Sequence, residues 1–349
     1  MVLILALLLA AGYAAEKINT SIPSKNPQPQ PRRRRRASDS IPREAFGSPH
    51  PTPLHPVIWQ VGRTNPEVAK VMEPALRLAS RFLEAECFLG FWFVVFFSDV
   101  EELAVAKAYC TESKEKHFGF TTPMPTDLTR AQIKHTKRTL DELADCITFD
   151  LQSTAAEVAG GRCKHLRHQK AGASFRGHKS VIQISAYFYG MLTNPNVSKA
   201  DKIWLQFELA KTLLHELAHA ALNAARGKGS GEHYFFPGSE VAEDGFQLEA
   251  CLFGGKIDLK RCDFNDALRK GQRADRISEK VPLIKGYLTP WPSWEAVEEY
   301  RVRRSPIGIR GEVPSQPHGR EIPFERIRRL FTEEPWEEDV ARYGTLRLH

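Results

Sequence analysis

Apolar residues recur at helical spacing in three stretches of the chain. From Asn65 to Ala85 they fall at Val68, Val71, Met72, Leu76, Leu78, Ala79 and Leu83, which predicts an amphipathic helix. Thr126 to Thr148 repeats the pattern through Leu128, Ile133, Leu140, Leu143 and Ile147. The longest stretch runs from about Lys199 to Ala225, with Ile203, Trp204, Phe207, Ala210, Leu214, Leu217 and Ala221 on its apolar face. Asn194-Pro195-Asn196 signals a turn before it, Ser198 with Asp201 gives a capping-box-like start, and Gly227 and Gly229 stop it. Ser180 to Ser185 alternates and is rich in β-branched residues, so a strand is expected there. Cys87 to Phe97 is apolar or small throughout and ends FWFVVFF; its aromatic and β-branched content favours a buried strand or core segment. Beyond residue 300, an Arg-, Gly- and Pro-rich stretch reads as loop, with a short helix around Phe324–Phe331.

Composition narrows the class. Of 349 residues, 42% are hydrophobic and 26% charged, a balance that supports a sizeable core. No apolar run approaches the roughly 20 residues of a spanning helix, so no transmembrane segment is expected. Six scattered cysteines without a CxxC pair are too few to staple the fold; three disulfides and reduced buried thiols fit equally. Residues 1–55 carry +5 of the net charge of +7, so the body is close to neutral and no nucleic-acid groove is inferred.

The amino terminus has its own organisation. The apolar run Val2–Ala11, followed by Gly12-Tyr13-Ala14-Ala15, reads as a signal peptide over residues 1–14 and points to secretion. Its n-region lacks Lys and Arg, which keeps a cytoplasmic or nuclear location as the alternative. Residues 15–56, rich in Pro, Ser and Arg, read as a disordered leader. In it, Arg32–Arg36 reads as a processing site if the chain is secreted, as a nuclear-localisation or anionic-surface patch if it is not, or equally as a solvated charge run without a role of its own. Residues 57–300 then form the main domain, and 301–349 a loop-rich extension.

The chemistry lies late in the long helix, at His215-Glu216-Leu217-Ala218-His219. Residues i and i+4 of a helix share a face, so both imidazoles can reach one Zn²⁺ at roughly 2.0–2.1 Å. Glu216 is rotated about 100° from His215. It is suited to take a proton from a metal-bound water and pass it to a leaving amine. Cys163-Lys164-His165-Leu166-Arg167-His168 also invites a metal reading, but the segment is basic and lacks a second half, so a solvated loop is favoured.

A strand followed by a helix bearing HELAH, with a further acidic segment downstream, resembles the zincin metallopeptidases. The segment Val241-Ala242-Glu243-Asp244-Gly245-Phe246-Gln247-Leu248-Glu249, followed by Leu252-Phe253-Gly254-Gly255, is similar to fungal zincin-like proteins that pair HELAHA with AExGxxxE and FGG. The resemblance implies an α+β, mostly helical fold with a small sheet edging the cleft, and places Val181–Ser185 at that edge. It implies a zinc-dependent peptidase acting on a peptide or protein substrate, with Glu216 as general base. Glu243 is the expected third ligand beside His215 and His219. Two other third ligands remain open: Glu240, which has Asp244 at thermolysin-like spacing, and His233, at the spacing of SprT-like proteases. Glu249, six residues beyond Glu243, points to another face and reads as a supporting or structural carboxylate. The oxyanion-stabilising residue is open among Tyr234, Tyr287, Tyr300 and His233, and Trp291, Trp294 and Tyr300 read as cleft-lining or packing residues. A non-catalytic zinc-binding scaffold is the alternative from another functional class. The motifs GxSxG, P-loop GK[ST] and HExxHxxGxxH are absent from the sequence.

Overall fold

The computed structural model describes residues 53–103, 117–125, 127–153, 160–226, 233–235, 241–261, 284–292, 308–309, 319–332, 339, 342, 346 and 348. The signal peptide and nearly all of the expected leader lie outside these residues, as do Glu240, Trp294, Tyr300 and the side chains of His233 and Tyr234. The last leader residues are in the fold, and His55 is buried.

In chain order the elements are α1 (Pro56–Thr64), α2 (Pro66–Glu84), α3 (Leu89–Phe97), β1 (Val100–Leu103), β2 (His117–Phe120), α4 (Arg130–Leu143), β3 (Ile147–Ser153), β4 (Gly161–Lys170) and β5 (His178–Ser185). They continue with α5 (Ala186–Thr193), α6 (Lys199–Arg226), β6 (His233–Tyr234), β7 (Val241–Ala242), α7 (Asp244–Phe253), β8 (Lys256–Arg261), β9 (Ile284–Thr289), β10 (Gly308–Ile309), β11 (Arg320–Ile322) and α8 (Phe324–Leu330). The architecture is α+β with small sheets.

Helix α6 organises the rest. Of its 28 residues, 21 are buried, so it is wrapped on nearly every side and is a central helix rather than a surface one. It packs on α2, α3, α5, α7, β4 and β5. Its start matches the expected cap: Ser198 Oγ accepts from the Asp201 N–H at 3.0 Å and donates to Asp201 Oδ2 at 2.8 Å. Asp201 Oδ1 also accepts from the Ile284 N–H at 2.8 Å, which ties the cap to β9. In α2, Pro74 opens a turn of the helix. The buried amide of Gln206, on α6, enters it, accepting from the Ala75 N–H at 3.1 Å and donating to the Val71 carbonyl at 2.8 Å. A straight helix would join that N–H and carbonyl to each other. One side chain thus serves both groups and ties α2 to α6.

Three expectations are corrected. Cys87–Phe97, read as a buried strand or core segment, does enter the core, but as a 3₁₀ turn followed by helix α3 rather than as a strand. An all-apolar run has no period to distinguish the two forms, and burial on α6 outweighs the local β preference. Cys163–His168, read as a solvated loop, belongs to strand β4. Its residues Gly161, Cys163 and His165 are covered while Arg162 and Lys164 are exposed, an alternation that the basic composition masks. Val181–Ser185 does not edge the sheet. The order is β3-β5-β4, with β5 central, parallel to β3 and antiparallel to β4, so among the described residues the outer strands are β3 and β4, and β4 is the one that passes Glu216.

A second sheet, β11-β9-β8, is antiparallel and abuts α7 through β8. The core continues past residue 300, taking in Ile322, Ile327, Leu330, Phe331, Leu346 and Leu348. Arg81 reinforces this by donating to the carbonyls of Leu330 and Thr332 at 3.0 and 3.1 Å. Among the described residues, no helix is long and apolar enough to cross a membrane, and Cys87, Cys146, Cys163 and Cys251 are free thiols.

Candidate metal centre

Helix α6 carries His215 and His219 one turn apart, and the residue that starts α7 faces them. Glu243 is the N-cap of α7, and its Oε2 accepts from the Phe246 N–H. That bond turns its other oxygen, Oε1, toward the histidines. His215 Nε2 and His219 Nε2 are 3.4 Å apart, and Glu243 Oε1 lies 3.4 Å from the first and 3.1 Å from the second. A tetrahedral ion with bonds of about 2.0–2.1 Å has ligand–ligand edges of about 3.3–3.4 Å. The three atoms therefore form one face of such a tetrahedron, with the fourth vertex left for another ligand. Two ring nitrogens and one carboxylate oxygen also suit the chemistry of zinc.

The ring nitrogen of His215 that faces away from this triangle is held. His215 Nδ1 donates to Glu249 Oε1 at 3.0 Å, which leaves a lone pair on Nε2 for a metal. Glu249 is itself fixed: Oε2 accepts from the Ile257 N–H at 3.2 Å, and Lys211 Nζ stands 3.6 Å from Oε1. Lys211 also donates to the Ile257 carbonyl at 3.0 Å and pairs with Glu208 at 3.1 Å. Phe246, whose ring centroid lies 4.9 Å from that of His215, packs on Trp291 at 4.8 Å. These two aromatics wall the site on the α7 side.

Two glycines permit the approach. A Cβ on Gly245 would meet three ring atoms of His215 at 2.5 Å. A Cβ on Gly161 would meet Thr212 Cγ2 at 2.5 Å and Glu216 Cγ at 2.9 Å. The first lets α7 lie against the imidazole, and the second lets β4 pass directly over Glu216. The Cys163 backbone N–H donates to the Glu216 carboxylate.

Electrostatics separate the two acids. Burial pushes Glu216 above the usual carboxylate range, against the pull of His215 and His219. Burial would also raise Glu243, but the two imidazoles outweigh it and hold Glu243 well below that range. His215 is the counterpart: burial disfavours its charge, yet Glu243 and Glu249 raise it well above ordinary histidine. The site thus gathers positive charge at the point where the three donor atoms converge.

His215, His219 and Glu243 form a group able to hold a metal ion, and among the described residues this is the sole such group. The chain matches no family model, no curated protein and no solved structure. The site therefore stands on its own geometry. Of the other third-ligand candidates, Glu240 and the side chain of His233 lie outside the described residues; of the oxyanion candidates, Tyr300 and the side chain of Tyr234 lie outside them too, and Tyr287 lies on β9 in the second sheet. Sequence reasoning did not find Lys211, Gly161 or the Cys163 N–H. Lysine inside an apolar helix four residues before His215 was the one available signal for the first; the other two depend on how β4 crosses α6.

Proposed function

We propose that the chain is a zinc-dependent peptidase with a zincin-like domain. The observation that carries this reading is the donor triangle of His215, His219 and Glu243, at the edges of a zinc tetrahedron, with a buried Glu216 beside it. His215 and His219 would hold the ion through Nε2, and Glu243 through Oε1. Bound there, Zn²⁺ supplies Lewis acidity toward a carbonyl and lowers the pKa of a water molecule to about 7.

The chain's own residues do the remaining work. Glu216, raised by burial above the usual carboxylate range, is suited to accept a proton and return it to a leaving amine. The Cys163 N–H and the bare Gly161 backbone hold its carboxylate in one orientation. Strand β4, an edge strand of its sheet among the described residues, offers backbone groups other than the Cys163 N–H to an extended peptide, and that position brings a peptide bond past Glu216. Phe246 and Trp291 exclude water from the opposite wall. Glu249 and Lys211 keep His215 in the tautomer and orientation that metal binding needs.

The test has two parts. Purified protein should contain about one zinc per chain, and His215→Ala should lose it. Glu216→Gln should keep zinc while cleavage of a mixed peptide library falls roughly 10²–10⁴-fold. Zinc retained by His215→Ala, or undiminished cleavage by Glu216→Gln, would remove the basis of the assignment.

A further inference from the structure

The exposed residues of β4 are strongly one-sided in charge. Arg162, Lys164, Arg167, His168 and Lys170 are all exposed, and the strand contains no Asp or Glu. On the neighbouring β5, Gln183 pairs with Arg162 and Val181 with Lys164, so the adjacent strand brings no carboxylate opposite them. Among the described residues, Asp150 of β3 stands in register with Gln183 on that face and accepts from Gln183 Nε2 at 3.3 Å. Among the described residues, Arg162 and Lys164 have no carboxylate partner.

The alternation of β4 fixes which way these charges point. Gly161 and Cys163 face α6: Gly161 lies against Thr212 and Glu216, and Cys163 Sγ accepts from Asn223 at 3.6 Å. Arg162 and Lys164 therefore project from the opposite face of the sheet. A strand added to the edge of β4 that no described strand occupies keeps the same alternation. Its residues opposite Gly161 and Cys163 turn toward Glu216 and the donor triangle, and those opposite Arg162 and Lys164 turn outward beside the two cations.

Building on the peptidase reading, we propose that β4 selects acidic polypeptides, with Asp or Glu at alternate positions pairing with Arg162 and Lys164. Charge complementarity at two cross-strand pairs sets the preference, and the residues between the acids enter the cleft. A lysine-bearing edge strand is also a guard against aggregation. That role predicts indifference to the charge of a docked peptide, so the two are separable.

The experiment uses the full chain, zinc-loaded, with Glu216→Gln to prevent turnover. Fluorescence anisotropy measures binding of labelled peptides of about nine residues: alternating Thr/Glu, alternating Thr/Gln, and one with the same glutamates in a contiguous block. Two cross-strand ion pairs predict that alternating Thr/Glu binds about tenfold tighter than Thr/Gln at low ionic strength, and tighter than the block peptide. The margin should shrink in about 0.5 M salt. Arg162→Glu combined with Lys164→Glu should abolish it and favour a Thr/Lys peptide. Equal binding of the Glu and Gln peptides overturns the proposal. So does a preference that survives the double reversal, which would trace to Arg32–Arg36. Displacement of the acidic peptide by an oligodeoxynucleotide that binds more tightly to the same two residues overturns it in favour of nucleic acid. If unsubstituted protein cleaves a library without acidic preference, the substrate class fails and the peptidase reading stands. If it neither binds zinc nor cleaves, that reading fails while the anisotropy still decides the charge preference.

Discussion

Replacing Gly245 with alanine tests the centre with a single methyl group. The added Cβ would stand 2.5 Å from Cε1, Cγ and Nδ1 of His215, where ordinary contact begins at 3.4 Å. Backbone on one side and the α6 framework on the other leave the imidazole as the part that gives, by about 0.9 Å. Metal–ligand distances tolerate only about ±0.2 Å, so a shift of that size removes Nε2 from the donor triangle or breaks the bond from Nδ1 to Glu249. Zinc affinity should fall at least 10–100-fold, or about 1.4–2.7 kcal/mol. The apoprotein should suffer much less. Gly245 lies in the first turn of α7, where alanine gains up to about 1 kcal/mol of helix propensity, and the ring can swing into the cleft. Zinc affinity by competition with a chromophoric chelator, and thermal melting with and without zinc, separate the two effects. The variant should lose the zinc-dependent rise in Tm while the metal-free Tm changes by only a few degrees. Affinity within twofold of wild type would refute the contact between Gly245 and the imidazole as the constraint on ligand position.

The remaining predictions address other parts of the structure. Gly161→Ala drives a methyl group against Thr212 and Glu216 and should lower kcat about 100-fold while zinc stoichiometry stays unchanged, checked by steady-state kinetics beside metal analysis. Glu249→Gln keeps an acceptor for His215 Nδ1 but removes the charge, and should weaken zinc binding roughly 10–100-fold in the chelator titration. His55 is pushed down to about 4 by burial and by Lys137, and its Nδ1 accepts from the Val57 N–H. The unfolded chain takes up a proton below about pH 6.5 that the folded chain refuses until about pH 4, so stability is full above that window and falls by up to about 3 kcal/mol across it. Urea melts of wild type and His55→Gln between pH 4 and 7 should show the slope flattened in the variant.

What could be read from sequence follows from where the information is local. Helix α6 is foreseen almost to the residue because its period, Ser198 cap and terminal glycines all agree. The pair His215 and His219 needs only helical geometry, whereas the reach of Glu249 to His215 Nδ1 depends on how α7 packs on α6. Strand order is a different kind of fact. Nothing in Ser180–Ser185 says that β4 will lie outside it, since β5 is buried on one face and half-covered on the other in either arrangement. Helix α3 was misread because Phe91 to Phe97 is apolar at every position, and tertiary packing alone chooses its form. The closeness of Gly161 and Gly245 to the site is invisible for the same reason: a missing side chain leaves no trace until another segment occupies the space.

The peptide unit at Ile257 has a consequence beyond its own bonds. Its N–H holds Glu249 and its carbonyl holds Lys211, so strand β8 acts as a rigid bracket behind the histidines. The donor atoms are kept at their spacing by hydrogen bonds and packing that the polypeptide itself supplies. Small zinc modules collapse when a chelator strips them, because the metal itself closes their structure. Here the scaffold should outlast its ion: chelation should silence the centre yet leave the chain folded, ready to reload without passing through an unfolded state.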